Sequence, residues 1–413
     1  MNEHISDVDI VIIGAGAAGL AAGATLQRAG ASFVVLEARD RRGGRGWTTT
    51  AGGHPVDLGC GWLHSAEENP FVGVAGEHHV ALDRSAAPWQ KQAWTGNFSD
   101  DEQEDYRESW DAFYERLENG ASGADQPAGV FLEPGNRWNP LIDAGSTFIN
   151  GVELGGLSTI DYDRYHDSGV NWRAPTGFGA LIARMGEGLP IRLNCPVSTI
   201  DHSGARIRVD TPNGVIAARA VIVTVSTDLL AVEAVRFTPA LPAKIEAASR
   251  LPLGLADKLF LSLANADDLP IDGRLYGSRD RVGVASYHLR PFGRPLIECY
   301  FGGQFARDLE RAGEAAFADF AIAEIVDAMG SNMRARLVPV ACSRWALDPF
   351  ARGSYSHARV GHSDARAALA APVDDRIFFA GEACSRHDFS TAHGAFRTGV
   401  AAATAALQHR AGS

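Results

Sequence analysis

Cysteine is scarce in this chain, with five in 413 residues: Cys60, Cys195, Cys299, Cys342 and Cys384. Their number is odd, they are scattered, and no CxxC pair occurs, so a reducing cytoplasm explains them better than a disulfide framework. Long apolar runs are missing too. No stretch reaches the roughly 18–20 residues that span a bilayer. The opening MNEHISDVDIVIIG has no basic region ahead of its apolar run, so no signal peptide is expected, and the tail AALQHRAGS is no anchor. Positive charge is in deficit: 38 Lys and Arg face 50 Asp and Glu, for a net charge of −12. That balance disfavours nucleic acid or an anionic membrane as partner and is compatible with a cationic substrate. No internal repeat is present. What remains is an ordinary globular composition, 46% apolar and 21% charged, long enough for two domains.

The first chemical signal is DIVIIGAGAAG at 9–19. Residues 10–13 are a β-branched apolar run, the mark of a buried parallel strand. GAGAAG follows, spanning Gly14, Ala15, Gly16 and Gly19. Gly14 permits a tight turn, Gly16 lets backbone approach a pyrophosphate, and Gly19 lets the next helix, over 20–29, pack against the strand. Gly30 ends that helix. A second strand, FVVLE, closes on Glu37, where a ribose would find a carboxylate. Strand, glycines, helix, strand and acid in this order predict a dinucleotide site, without separating NAD from FAD.

The next residues, LEARDRRGGR at 36–45, resemble the flavin-containing amine oxidase family, which includes monoamine oxidases, polyamine oxidases and flavin-dependent histone demethylases. The resemblance covers most of the chain, with gaps in the middle, and in motif detail it is closest to polyamine oxidases. It implies FAD as cofactor, an amine as substrate and molecular oxygen as acceptor, and the charge balance and missing apolar runs add no nucleic acid and no membrane as partner. Arg45 and Gly44 would lie near pyrophosphate and flavin, and Arg39 near the adenosine end. VDLGCGWLHS at 56–65 resembles the segment beneath the flavin, making Gly61 and Trp62 its neighbours. His64 stands where some polyamine oxidases carry histidine; it reads either as a substrate contact or as an exposed loop residue. Val197 would set its backbone against adenine.

LADKLFLSL at 255–263 alternates as a strand, with Lys258, Phe260 and Ser262 on one face. Lys258 has two readings, an edge-strand gatekeeper or the family's lysine that holds a water against flavin N5. WALDPFARGSYS at 345–356 resembles the family segment that contains Trp345 and a cage tyrosine, here Tyr355. Ser354 replaces the cysteine that links flavin covalently in monoamine oxidases, which implies non-covalent FAD. The second cage tyrosine is replaced by Thr391, as in polyamine oxidases.

The segment FFAGEACSRHDFSTAHGAF at 378–396 holds Cys384, His387, Asp388 and His393, all possible metal ligands. Their spacings lack a second half elsewhere, so no metal site is expected. The resemblance instead assigns Gly381 and Glu382 to the flavin's ribityl chain. It places Thr391 and Ala392 at the start of an alanine-rich helix whose free N–H groups face the flavin.

The expected architecture is α/β. A Rossmann-like FAD-binding domain, with a parallel sheet, helices and a β-meander, comprises residues 1–82, 180–240 and 345–413. It is interleaved with an α+β substrate-binding domain containing a mixed sheet, at 83–179 and 241–344. Within the latter, 99–120 reads as an amphipathic helix and 317–329 as another. The expected activity is hydride transfer from an amine's α-carbon to FAD, with imine hydrolysis and release of hydrogen peroxide. The alternatives are dehydrogenation of a non-amine, or a flavoprotein acting through a partner. The sequence leaves the oligomeric state open.

Overall fold

A computed structural model describes residues 6–411, with side chains at 7–408. The reading of the first five residues and of the last two falls outside them. The β-branched run lies within a central strand, Ser6–Ile13, parallel to Phe33–Leu36 on one side and Gly214–Val223 on the other. Ile10 and Ile12 enter one apolar core and Val11 and Ile13 another, so both faces of the sheet are covered. Ile191–Arg192 extends the Phe33–Leu36 edge, and Ile377–Phe379 returns late in the chain to pair parallel with 221–223.

Gly214–Val223 is a single ten-residue strand. No breaker interrupts it: Ala217, Ala218, Arg219 and Ala220 continue the run. On one side its residues 216–223 run parallel with Ser6–Ile13; on the other, 214–218 pair antiparallel with Ile207–Thr211 and 221–223 pair parallel with Ile377–Phe379. The eight-stranded sheet is therefore mixed.

Two helices meet against this sheet, Ala17–Arg28 and Ala392–Ala411. Their approach leaves no room for a side chain at Gly399, where a Cβ would sit 2.1 Å from the Ala18 carbonyl oxygen. The first helix is as tight against its own turn: a Cβ on Gly19 would sit 1.9 Å from the Gly14 carbonyl oxygen.

The second sheet has five strands in the order Gly273–Tyr276, Ala285–Leu289, Leu296–Gly302, Ala256–Leu263, Leu337–Cys342. All its pairings are antiparallel, where a mixed sheet was expected. Short loops join Gly273–Tyr276 to Ala285–Leu289 and that strand to Leu296–Gly302, and a short loop reverses the chain, whereas Leu337–Cys342 returns through the helices Gly303–Ala312 and Glu314–Met329 to the other side of Ala256–Leu263. Leu259, Leu261 and Leu263 pack with Phe317, Ala321 and Ile325 of the helix Glu314–Met329. Phe260, on the opposite face, packs with Val56, Leu58 and Leu296.

The acidic helix is Asp100–Gly120, started by a capping box between Ser99 and Glu102. Its Phe113 and Leu117 are buried beside Trp138 and Leu141, with Trp110 and Tyr114 half-buried. Among the described residues no helix is long and apolar enough to cross a membrane.

Candidate active site

A cavity of about 1600 Å3 passes the ends of the central strands at Ile13, Leu36 and Thr224 and continues to the second sheet. The glycine loops form its first wall. Gly14 and Gly16 line it, with Gly43 and Gly44 of the second loop. Gly44 has a φ of +59°, and a Cβ there would lie 3.0 Å from the Gly16 Cα, so the two loops cross as bare backbone. Glu37 ties them together: its Oε2 accepts the Ala15 N–H at 2.7 Å and its Oε1 the Arg39 N–H at 2.9 Å. Ala15 and Gly19 do not line the cavity; they hold its wall. Arg39 is paired with Asp348 at 2.7 Å, and Val197 lies on the same stretch of wall.

The C-terminal segment closes the middle of the cavity, and Glu382 is its junction. The carboxylate accepts from Arg45 Nη1 at 2.9 Å, Ser356 Oγ at 2.7 Å and Ser390 N–H at 3.0 Å, joining three distant segments. Burial pushes its pKa up, but Arg45 and Ser356 more than offset this, and the net shift is downward. Arg45 Nη1 also donates to the Ser354 carbonyl at 2.6 Å. A Cβ on Gly381 would meet nothing within 4 Å, so its backbone faces open cavity. Thr391 and Ala392 line the cavity, but the Thr391 hydroxyl is already used. It donates to the Asp388 carbonyl at 2.6 Å and accepts the Gly394 N–H at 3.0 Å as the cap of the last helix. Among the described residues no three of His, Cys, Asp and Glu converge as metal ligands. His387 turns to the Arg164 carbonyl and Asp388 to Arg397.

Lys258 stands at the far end. Its strand is paired on both sides, which rules out the edge reading. The buried ammonium meets Glu298 Oε1 at 2.8 Å and lies 5.8 Å from the ring of Tyr300. Burial alone would lower the lysine's pKa; Glu298, then Tyr300, overcome it and raise it. Burial would raise that of Glu298, yet Lys258 and His288 bring it down to about 2. Behind Glu298 a row of polar side chains continues. His288 Nδ1 is 3.8 Å from its Oε2, His288 Nε2 is 2.9 Å from Asp272, and Arg173 grips Asp272 at 2.7 Å. The Arg173 guanidinium lies 4.9 Å over Trp62, which lines the cavity beside Gly61. His64 is half-buried, its Nδ1 2.6 Å from Asn171 Oδ1, so it is not an exposed loop residue. Trp345 is buried and donates its indole N–H to the Leu58 carbonyl at 2.9 Å. Tyr355 lines the cavity opposite Lys258's partner strand, its hydroxyl within 3.1 Å of that of Tyr300.

The family model described as flavin containing amine oxidoreductase matches residues 17–120 and 91–407. The chain belongs to this family. Among similar curated proteins, a rice polyamine oxidase (Oryza sativa subsp. japonica, polyamine oxidase 4) is 27% identical over 96% of this chain and 88% of its own length. Polyamine oxidase 2 of Arabidopsis thaliana is 29% identical over 95% and 87%. A lysine-specific histone demethylase homologue of the same plant is 28% identical over 98% of this chain, which spans 59% of that longer protein. Among solved structures, a putrescine oxidase variant superposes with a TM-score of 0.80 at 19% identity, covering 98% of this chain and all of the other. Cyclohexylamine oxidase from Brevibacterium oxydans IH-35A gives 0.77 at 22% identity, covering 98% and 100%. These likenesses carry the two-domain α/β fold.

As a flavin-containing amine oxidoreductase, the protein is a flavoenzyme, and its dinucleotide fingerprint makes the cofactor FAD. The cavity fits that group: bare glycine backbone stands where a pyrophosphate needs close approach, and a carboxylate stands at the adenosine end. The first turn of the helix Ala392–Ala411 supplies N–H groups that have no intrahelical acceptor. Sequence reasoning missed Glu298, Tyr300 and His288. A signal for the first two was present: in LIECYFG, Glu298 and Tyr300 alternate with buried Ile297, Cys299 and Phe301, the same pattern that singled out Lys258.

Proposed function

We propose that this protein is an FAD-dependent oxidase of primary or secondary amines, with polyamines the first substrate class. One observation carries the reading: a single cavity joins the dinucleotide loops to a buried lysine and a pair of tyrosines. Bound FAD supplies a hydride acceptor for the amine's α-carbon and, with oxygen, the source of hydrogen peroxide, while the imine product hydrolyses to a carbonyl compound and an amine. Tyr355 and Trp62 position the amine, and His64 borders its path. Lys258 holds a proton-bearing group at the cavity's reactive end, fixed by Glu298, where it can orient a water molecule. A non-amine desaturase would favour an apolar tunnel; an ion pair on the cavity wall speaks against one. The names of the similar polyamine oxidases support the substrate class.

Non-covalent FAD follows from Ser354. Its Oγ accepts the Ala256 N–H and donates to the Ala256 carbonyl, both at 2.8 Å, so the hydroxyl is spent on backbone. The test mixes purified holoenzyme with putrescine, spermidine, spermine, benzylamine and cyclohexylamine, reading anaerobic bleaching of the flavin and then peroxide in air. Bleaching by at least one amine, peroxide on aeration and flavin set free by acid precipitation are expected. No bleaching by any amine would end the reading.

A further inference from the structure

Tyr355 and Tyr300 are joined through their hydroxyls, and the direction of that join is fixed. The Tyr355 hydroxyl donates to the Phe148 carbonyl at 2.6 Å. A carbonyl can only accept, and a phenol carries one proton. The 3.1 Å contact between the two hydroxyls therefore runs from Tyr300 to Tyr355. Burial pushes both phenols' pKa values up, so both protons stay in place. Tyr300 sits directly across the strand pair from Lys258, and both tyrosines are half-buried in the cavity wall.

Both protons are thus committed away from the cavity, and what the pair has left to offer is oxygen lone pairs. We propose that Tyr300 is the second substrate-contacting tyrosine of this site, and that the one-way chain Tyr300 → Tyr355 → Phe148 selects ligands that donate N–H. The inference rests on the amine-oxidase reading and sharpens it. An amine that gives its N–H bonds to these oxygens keeps its nitrogen lone pair free. That lone pair is the electron source when hydride leaves the α-carbon: the C–H electron pair departs with hydrogen, the nitrogen pair forms the C=N bond, and FAD takes up the hydride. A hydroxyl donating to the nitrogen would tie up that pair.

The experiment uses holoenzyme and two probes with no hydrogen on the carbon that bears the nitrogen or oxygen, so neither can give up a hydride there. Cumylamine offers N–H; acetophenone offers only an acceptor oxygen. Their dissociation constants are read from perturbation of the flavin's visible absorbance. Tyr300→Phe removes one acceptor and should weaken cumylamine roughly 3- to 10-fold, as one hydrogen bond does, without tightening acetophenone. Tyr355→Phe deprives the Tyr300 proton of its acceptor and frees it to point into the cavity. That variant should bind acetophenone several-fold more tightly than wild type. Opposite signs for acetophenone and cumylamine in Tyr355→Phe are not expected of a merely structural lesion. Acetophenone responding alike in both variants, or cumylamine indifferent to Tyr300→Phe, overturns the proposal. Should either variant lose flavin, the wild type carries the test. Its kcat/KM should fall at each step from benzylamine to N-methyl- to N,N-dimethylbenzylamine, and equal use of the first and last overturns the proposal. Flavin that no amine bleaches would sink the parent reading as well, whereas bleaching with the wrong probe responses sinks this one alone.

Discussion

Lys258 shows how a residue's neighbours change what a substitution tests. From the sequence, Lys258→Met looks conservative, since the two side chains have similar volume. In the fold the buried lysine is the counter-charge of Glu298, a largely enclosed carboxylate 2.8 Å away. Removing one partner of such a pair typically costs about 3–5 kcal/mol, because the other is left buried and unpaired. Lys258→Met should therefore lower Tm, and adding Glu298→Gln should recover most of the loss. Flavin reduction or reoxidation should stay roughly 100- to 1,000-fold slow in both variants, the scale of one positioned polar group at a reacting centre. Recovery of rate along with stability would make Lys258 a structural residue. The pH dependence has a definite sign. Glu298 has its pKa depressed from 4.5 to about 2, so its contribution is complete above 4.5 and is lost as pH falls towards 2. The Tm gap between wild type and Lys258→Met should narrow in that window and not at alkaline pH.

At the scale of elements, what was legible was local. Strand, glycine turn, helix and acid lie within 30 residues, and the structure returns them nearly residue for residue. The amphipathic helix at 99–120 was readable from its period. Pairing across strands was not. That Glu298 faces His288, and Lys258 faces Tyr300, depends on register between strands separated by up to 42 positions, which no period reveals. The junction at Glu382 was visible as a motif, but its partners, Arg45 and Ser356, come from opposite ends of the chain. The last helix delivers its N-terminus to the site by pressing on the first, and Gly399 marks that contact. Gly399→Val places carbon where the Ala18 carbonyl oxygen stands. Overpacking of this kind costs about 1–3 kcal/mol, and here it should also pull Thr391 and Ala392 away from the cavity. The expected result is a lower Tm together with reduced flavin content in the purified protein. Full flavin occupancy at wild-type Tm would mean that the two helices can separate without disturbing the site.

The whole molecule carries a net charge of −12, and the cavity's outer rim repeats the bias. Asp100, Glu104, Glu118, Asp163 and Asp167 are exposed there, against exposed Lys91 and Arg107. Deeper in, Lys258 and Glu298 cancel, so the field that an approaching ligand meets comes from the rim and the molecular surface. Such a field raises the encounter rate of a cation and excludes anions. Its reach is set by salt, about 30 Å at 0.01 M and about 10 Å at 0.1 M. For a dicationic diamine, kcat/KM should fall about 10-fold between 10 and 200 mM sodium chloride, within the range expected of electrostatic steering. The kcat at saturation should hold, because the chemistry lies beyond the rim. A monoamine should show a shallower slope, and the dissociation constant of a neutral ligand such as acetophenone should not move. Glu104→Lys with Glu118→Lys should flatten the diamine's slope while leaving flavin content unchanged, since neither residue touches the dinucleotide loops. If salt weakens the neutral ligand as much as the diamine, the effect lies in the fold's own stability, and the acidic surface plays no part in gathering substrate.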